Sequence, residues 1–220
     1  ALEKELSQIK KNLLTEAKTL SKIRSQVALK LADEVSTEMH SLSMPQTNLR
    51  LEIASPDYDA ALQESDFTSF GCDSINMYLQ THRDGPLVSI AKGASGGEMS
   101  RVMLALEVVI AASNPVGTYI FDEVDAGVGG AAAIEVGRRL HVLSKNAQVI
   151  VVTHLTQVAA WGDSHYVVEK SIDGTVVSSG VNRVDGDERV SEIARMLAGL
   201  QESSSAKEHA SELLELRIKG

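Results

Sequence analysis

The run Tyr119-Ile120-Phe121-Asp122-Glu123-Val124-Asp125-Ala126-Gly127 decides the fold of this chain. Three apolar residues, two acids and a glycine-containing turn describe a short strand, buried on both faces, that delivers two carboxylates at its C-terminal end. A second run of the same kind, Val149-Ile150-Val151-Val152, ends in Thr153-His154. Between them, 131–143 reads as a helix, and strand, helix and strand in that order predict a parallel pair. Ligands gather at the carboxyl ends of parallel strands, so Asp122, Glu123 and His154 are expected to converge. The fold class is therefore α/β.

Upstream lies Lys92-Gly93-Ala94-Ser95-Gly96-Gly97-Glu98, a glycine-rich loop by its composition, and then a helix over 98–112 with Val102, Leu104, Leu106, Val109 and Ile110 buried. Further back, 47–54 and 74–81 alternate apolar and polar residues and predict one antiparallel sheet, with a loop-like stretch at 57–73. The first 42 residues read as one helix. Leu6, Ile9, Leu13, Leu20, Ile23 and Val27 form a narrow apolar seam, and no Pro or Gly occurs before Pro45. From Val27 the apolar spacing passes to Leu31, Val35 and Met39, a broader face suited to packing on a globular body. Downstream, 165–179 predicts a hairpin turning at Asp173-Gly174, and 188–198 and 206–218 predict two helices.

Composition narrows the class without naming a function. The 220 residues are 43% hydrophobic and 23% charged, enough for a folded core. No apolar run reaches the length of a membrane span. One cysteine, Cys72, excludes an intramolecular disulfide and fits a reducing, cytoplasmic setting. Thirty acidic against twenty-one basic residues give a net charge of -9, which excludes coating nucleic acid by charge alone. His82, His141, His165 and His209 lack metal-ligand spacing. Trp161 reads as a packing residue, Cys72 as an inert thiol, and Arg183, Arg189 and Arg195 as helix-face charge rather than DNA contacts.

Four short motifs carry the chemistry. Glycines at 96 and 97 before a helix let backbone approach a ligand, and the helix start turns amides toward an anion. Asp122 and Glu123, 24 and 25 residues beyond Glu98, suit Mg²⁺ binding by the first and water activation by the second. Val124-Asp125-Ala126-Gly127 with Gly129-Gly130 makes a flexible acidic turn, and His154 follows 32 residues after Asp122. Singly, each has a plainer reading: a loop with a good helix start, an N-cap for the next helix, a structural histidine. Order, spacing and strand-terminal placement together favour the functional one.

In that order the set resembles the signature motif, Walker B, D-loop and H-loop of an ABC-type ATPase head. The strings at 92–101, 120–130 and 152–159, with Ile193-Ala194-Arg195-Met196-Leu197-Ala198-Gly199, closely resemble the RecN family of SMC-like bacterial DNA repair proteins. Ala94 stands where most ABC-type heads have Leu. The resemblance implies the C-terminal lobe of a P-loop NTPase head over 43–220, with 1–42 as a coiled-coil arm returning into it. No Gly-x-x-x-x-Gly-Lys-Ser/Thr occurs in the chain, so it is expected to be the C-terminal part of a longer protein, and to bind ATP weakly or not at all alone.

What the family implies for single residues follows its motifs. Ser95, Gly96 and Gly97 would contact the γ-phosphate of ATP held by an opposite head, with Glu98 in the same nucleotide-binding motif. Asp122 would hold Mg²⁺ largely through water, Glu123 would orient or deprotonate the attacking water, and His154 would contact the γ-phosphate. Asp125 and Gly127 would lie at the head–head seam. The implied partners are the N-terminal P-loop half, a second head in a homodimer, and DNA, as double-strand ends. The implied role is ATP-driven dimerisation and hydrolysis in recombinational double-strand-break repair by a cytoplasmic, nucleoid-associated protein. Two other readings stay open: another SMC-like head, of the condensin or zinc-hook type, and an assembly module without catalysis.

Overall fold

The computed structural model describes residues 2–58, 60, 62–93, 95–111, 113, 116–173, 176–199 and 204–219. The chain divides into two compact units, Ala1–His40 with Met44–Ala94, and Ser41–Ser43 with Ser95–Gly220. The long helix thus shares its unit with the first sheet, whereas the sequence patterns divide the chain at 42/43.

In the first unit, helix α1 (Leu2–Ser41) runs for 40 residues. It buries Ala17, Ser21, Ala28, Val35, Ser36 and Met39. The predicted seam lies elsewhere on the helix: Leu6, Ile9, Leu13, Ile23 and Val27 are each between 44% and 55% exposed. Strands β1 (Asn48–Ala54) and β2 (Ser74–Gln80) pair antiparallel from Asn48↔Gln80 to Ala54↔Ser74, as their alternation predicts. A two-residue strand β3 (Val88–Ser89) joins β2, and helix α2 (Ile90–Gly93) follows.

A polar cluster ties α1 to the stretch between β1 and β2. The carboxylate of Asp73, 1% exposed, accepts hydrogen bonds from Ser21 Oγ, from Arg24 Nη1 at 3.0 Å and from Ser55 Oγ at 2.9 Å. Tyr58 shares the Ser21 hydroxyl. Burial pushes the Asp73 carboxyl up, but these donors outweigh it and hold the group below its ordinary value. Gly71 takes φ +94°, and a Cβ there would meet Leu20 at 3.0 Å, so only glycine fits against α1. The thiol of Cys72 is half-buried and pushed up by burial, then by Asp73 and Asp66, which keeps it protonated and inert.

The second unit holds the parallel pair. Strand β4 (Thr118–Phe121) and strand β5 (Gln148–Val151) run parallel with Thr118↔Gln148 and Phe121↔Val151, joined by helix α4 (Gly130–Ser144). Ahead of them lies helix α3 (Gly96–Ile110). The expected glycine loop is corrected here: Gly96 and Gly97 form the first turn of α3. Ser95 and Glu98 explain this, because their side chains make a capping box that starts the helix two residues early. Ala94 lies outside the described residues. Val102, Leu104 and Ala105 are buried on α3, while Leu106, Val109 and Ile110, expected in the core, stay half-buried. The strands also depart from burial on both faces. Tyr119 and Phe121 point into the core, but Ile120 is 72%, Val152 60% and Ile150 45% exposed.

After β5 a single helical turn, α5 (Thr156–Ala159), leads to Trp161, which is buried against α4. A Cβ on Gly137 would lie 2.4 Å from the indole Cδ1, so α4 carries glycine where Trp161 crosses it. Strands β6 (His165–Asp173) and β7 (Val176–Val184) form the expected hairpin, whose predicted turn residue Gly174 lies outside the described residues. Helices α6 (Gly186–Ala198) and α7 (Ser204–Lys219) pack through Ile193, Ala194, Ala206 and Ala210. Gly199 ends α6 at φ +68°, its N–H donating to Arg195 O at 2.7 Å.

Candidate functional site

The start of α3 fixes one side of the site. Ser95 Oγ accepts from the Glu98 amide, and the Glu98 carboxylate accepts from the Ser95 amide and hydroxyl at 3.1 Å each. Both side chains are thus engaged in capping the helix start. Gly96 remains exposed at the tip, and Gly97 is buried.

Gly97 is buried because the turn after β4 lies directly on it. A Cβ there would be 2.7 Å from Ala126 Cβ, 3.0 Å from Glu123 O and 3.1 Å from Ala126 O. The next residues of α3 grip the same turn. Ser100 Oγ donates to Asp122 O at 2.8 Å, and Arg101 Nη1 donates to Ala126 O at 2.7 Å and Val124 O at 3.5 Å. The Arg101 side chain is nearly buried, and that burial pulls its guanidinium below its ordinary value against the opposing charges of Glu98 and Asp125. Neither Ser100 nor Arg101 stood out as a site residue in the sequence. The usable signal was an arginine beside the buried stripe of Val102, Leu104 and Ala105, where a solvated charge would not be placed.

Between these anchors, Glu123 holds φ +55°, in the left-handed region that non-glycine residues seldom occupy. Its carboxylate is brought to the helix start: a Cβ on Gly96 would lie 2.9 Å from Glu123 Oε2. Gly127 follows at φ +74°, a conformation that favours glycine. Asp122 stays exposed at the strand end, its carboxylate open to solvent.

Asp125 is 1% exposed, and its carboxylate turns inward to the segment after β5. Oδ2 accepts from Thr153 Oγ1 and from the amides of His154 and Leu155 at 3.3 Å each. His154 itself is 75% exposed in its side chain, with Nδ1 3.5 Å from the same oxygen. The structure therefore brings Gly96, Gly97, Asp122, Glu123, Asp125 and His154 to one end of the parallel pair, as the topology predicts.

Other candidates have structural duties. Arg189 donates to the carbonyls of Ala159, Ala160 and Gly162, closing the end of α5. Arg183 pairs with Asp185 and Arg195 with Glu192. Among the described residues no group of three or more His, Cys, Asp or Glu is placed to hold a metal, and no helix is long and apolar enough to cross a membrane.

No family model matches the chain. Solved structures resemble it in fold. The Smc head domain with an extended coiled coil from Pyrococcus furiosus superposes at TM-score 0.55 and 22% identity, covering 83% of this chain and 42% of that one. The Smc head domain with coiled coil and joint from Pyrococcus yayanosii superposes at 0.53 and 22%, covering 78% and 29%. A parallel pair with acids at its end, a capped helix gripping the turn that follows, and a long leading helix give the chain the fold of an Smc head domain. Curated relatives identify which such head. The DNA repair protein RecN of Streptomyces coelicolor is 49% identical over 90% of this chain, that of Mycobacterium leprae 44% over 97%, and that of Bacillus subtilis 38% over 97%. The chain belongs to the RecN family. It spans 36–38% of the length of these relatives.

Proposed function

We propose that this chain supplies the signature helix, the acidic strand end and the histidine of an ATP-hydrolysing head that works in DNA double-strand-break repair. The approach of Glu123 to the glycine start of α3, with Asp122 and His154 just beyond the ends of the two parallel strands, carries this reading. Each residue has a task fitted to its place. Glu123, projected from a strained turn, orients and takes the proton of the attacking water. His154, exposed at the end of β5, reaches the terminal phosphate. The start of α3 offers its amides to the γ-phosphate bound by a second head, so two heads close on two nucleotides. Asp122, exposed at the strand end, would hold a Mg²⁺ ion, which would supply charge neutralisation at the phosphates. The phosphate cradle comes from the P-loop half of the same protein, for which the uncovered face of Ile120, Ile150 and Val152 is a ready seat. The exposed α1 seam likewise suits an antiparallel coiled-coil partner. Net charge of -9 places DNA binding on the assembled protein rather than on this chain by itself.

The test is steady-state ATP hydrolysis by this chain alone, and mixed with the P-loop half, each beside Glu123→Gln. Activity should appear only on mixing and fall by at least about 100-fold with Glu123→Gln, as for loss of a general base. Activity in the isolated chain would show that the nucleotide site is elsewhere. No activity in a verified complex would leave an assembly role instead.

A further inference from the structure

Asp125 is the buried acid of this site, and nothing in the proposed chemistry so far uses its carboxylate. Its position is over-determined. One oxygen, Oδ2, collects the Thr153 hydroxyl and two successive amides, and the Nδ1 edge of His154 lies 3.5 Å away. The two amides pin the backbone on which His154 is mounted, and Thr153 Oγ1 also accepts from the Leu155 amide at 3.0 Å. A carboxylate oxygen 3.5 Å from one ring nitrogen acts electrostatically on the imidazole, favouring the tautomer in which that nitrogen carries the hydrogen. Nδ1 is the ring nitrogen nearer Asp125, which leaves Nε2 as the one farther from it on a side chain that is 75% exposed.

We propose that Asp125 is a positioning residue for His154: from the turn after β4 it sets the direction of the imidazole and holds it as the Nδ1–H tautomer, so that Nε2 alone exchanges protons with phosphate or water. The assignment rests on the proposed ATPase function for its consequence, but its physical content does not. Arg101 strengthens the geometry, since its hydrogen bonds to Val124 O and Ala126 O fix the backbone on both sides of Asp125.

The test reads the tautomer directly, by the ring ¹⁵N shifts of His154 in the full chain at a pH of about 8, where an ordinary imidazole is neutral. The His154 signals are identified by their loss in His154→Gln. The expected result is Nδ1–H in the wild-type chain, its loss toward Nε2–H in Asp125→Asn, and its retention in Thr153→Val, which loosens the segment but keeps the charge. An Nε2–H ring in the wild-type chain overturns the assignment without any variant having to fold. An unchanged tautomer in Asp125→Asn, or a shifted one in Thr153→Val, overturns it as well. In the complex with the P-loop half, Asp125→Asn should lower kcat roughly 10–100-fold with KM for ATP little changed, the size of other losses of a supporting carboxylate. If the wild-type complex hydrolyses nothing, the proposed function falls while the tautomer result still stands.

Discussion

Replacing Gly97 with alanine should destabilise the second unit, whereas the same change at Gly96 should not. At Gly97 the new methyl meets Ala126 Cβ at 2.7 Å and the carbonyl oxygens of Glu123 and Ala126 at 3.0 and 3.1 Å. Those carbonyls are tied down, because Ala126 O accepts from Arg101 and Glu123 O accepts from the Ala126 amide at 3.0 Å. Overpacking against groups that cannot retreat costs about 1–3 kcal/mol. Alanine in a helix recovers up to about 1 kcal/mol of propensity, less in the first turn. The net expectation is a loss of about 1–2 kcal/mol, or roughly 2–8 °C in Tm for a chain of this size. At Gly96, among the described residues, the one neighbour within reach is Glu123 Oε2 at 2.9 Å, the free end of a flexible side chain. That carboxylate can swing away, so Gly96→Ala should melt at or slightly above the wild-type temperature. Trp161, the single tryptophan and a member of the same unit, reports both melts by fluorescence. Equal melting temperatures for the two variants, or a Gly97→Ala protein as stable as wild type, would refute the close packing argued here.

Gly137→Ala puts a methyl 2.4 Å from Trp161 Cδ1 and 3.0 Å from Gln157 O, so a change that usually stabilises a helix interior should cost about 1–3 kcal/mol. It should also red-shift Trp161 emission as the ring is displaced, and unchanged emission with a raised Tm would count against it. For Asp73, a carboxyl held below its ordinary value contributes stability that is present above the unfolded pKa and is lost as pH falls through the folded one. The helical signal of the first unit should therefore weaken below a pH of about 4. Asp73→Asn should be less stable at neutral pH and show a flatter acid dependence in the same circular-dichroism titration. An acid limb unaltered by the substitution would contradict that role.

The sequence made the parallel pair legible because two unbroken apolar runs, each ending in polar residues at the same place, have few other solutions. It made α1 legible as a helix, and its seam as distinct from its packing face, because the two stripes differ in spacing. The start of α3 was less legible. Two adjacent glycines favour a loop by propensity, and the structure overrules this through Ser95 and Glu98, whose reciprocal cap stabilises a helical first turn. The inward turn of Asp125 was beyond the sequence altogether. An acid in a glycine-containing turn reads as exposed, and only the approach of the segment after β5 supplies the three donors that make burial tolerable.

The same logic explains why Ser100 and Arg101 stand directly behind the glycines. A non-glycine residue in the left-handed region costs on the order of 1–3 kcal/mol and persists where its surroundings over-determine it. Glu123 at φ +55° is such a residue. On one side Ser100 holds Asp122 O, on the other Arg101 holds Val124 O and Ala126 O, and the Ala126 amide closes the turn onto Glu123 O. With both neighbouring peptides fixed, the backbone of Glu123 has no relaxed conformation available, and its side chain leaves the turn beside Gly96 on the exposed start of α3. The first six residues of α3 therefore do two jobs: Gly97 leaves room for the turn after β4, and Ser100 and Arg101 hold that turn in place. Separating the two by even one residue would rotate Ser100 and Arg101 by about 100° around the helix and off the turn they hold.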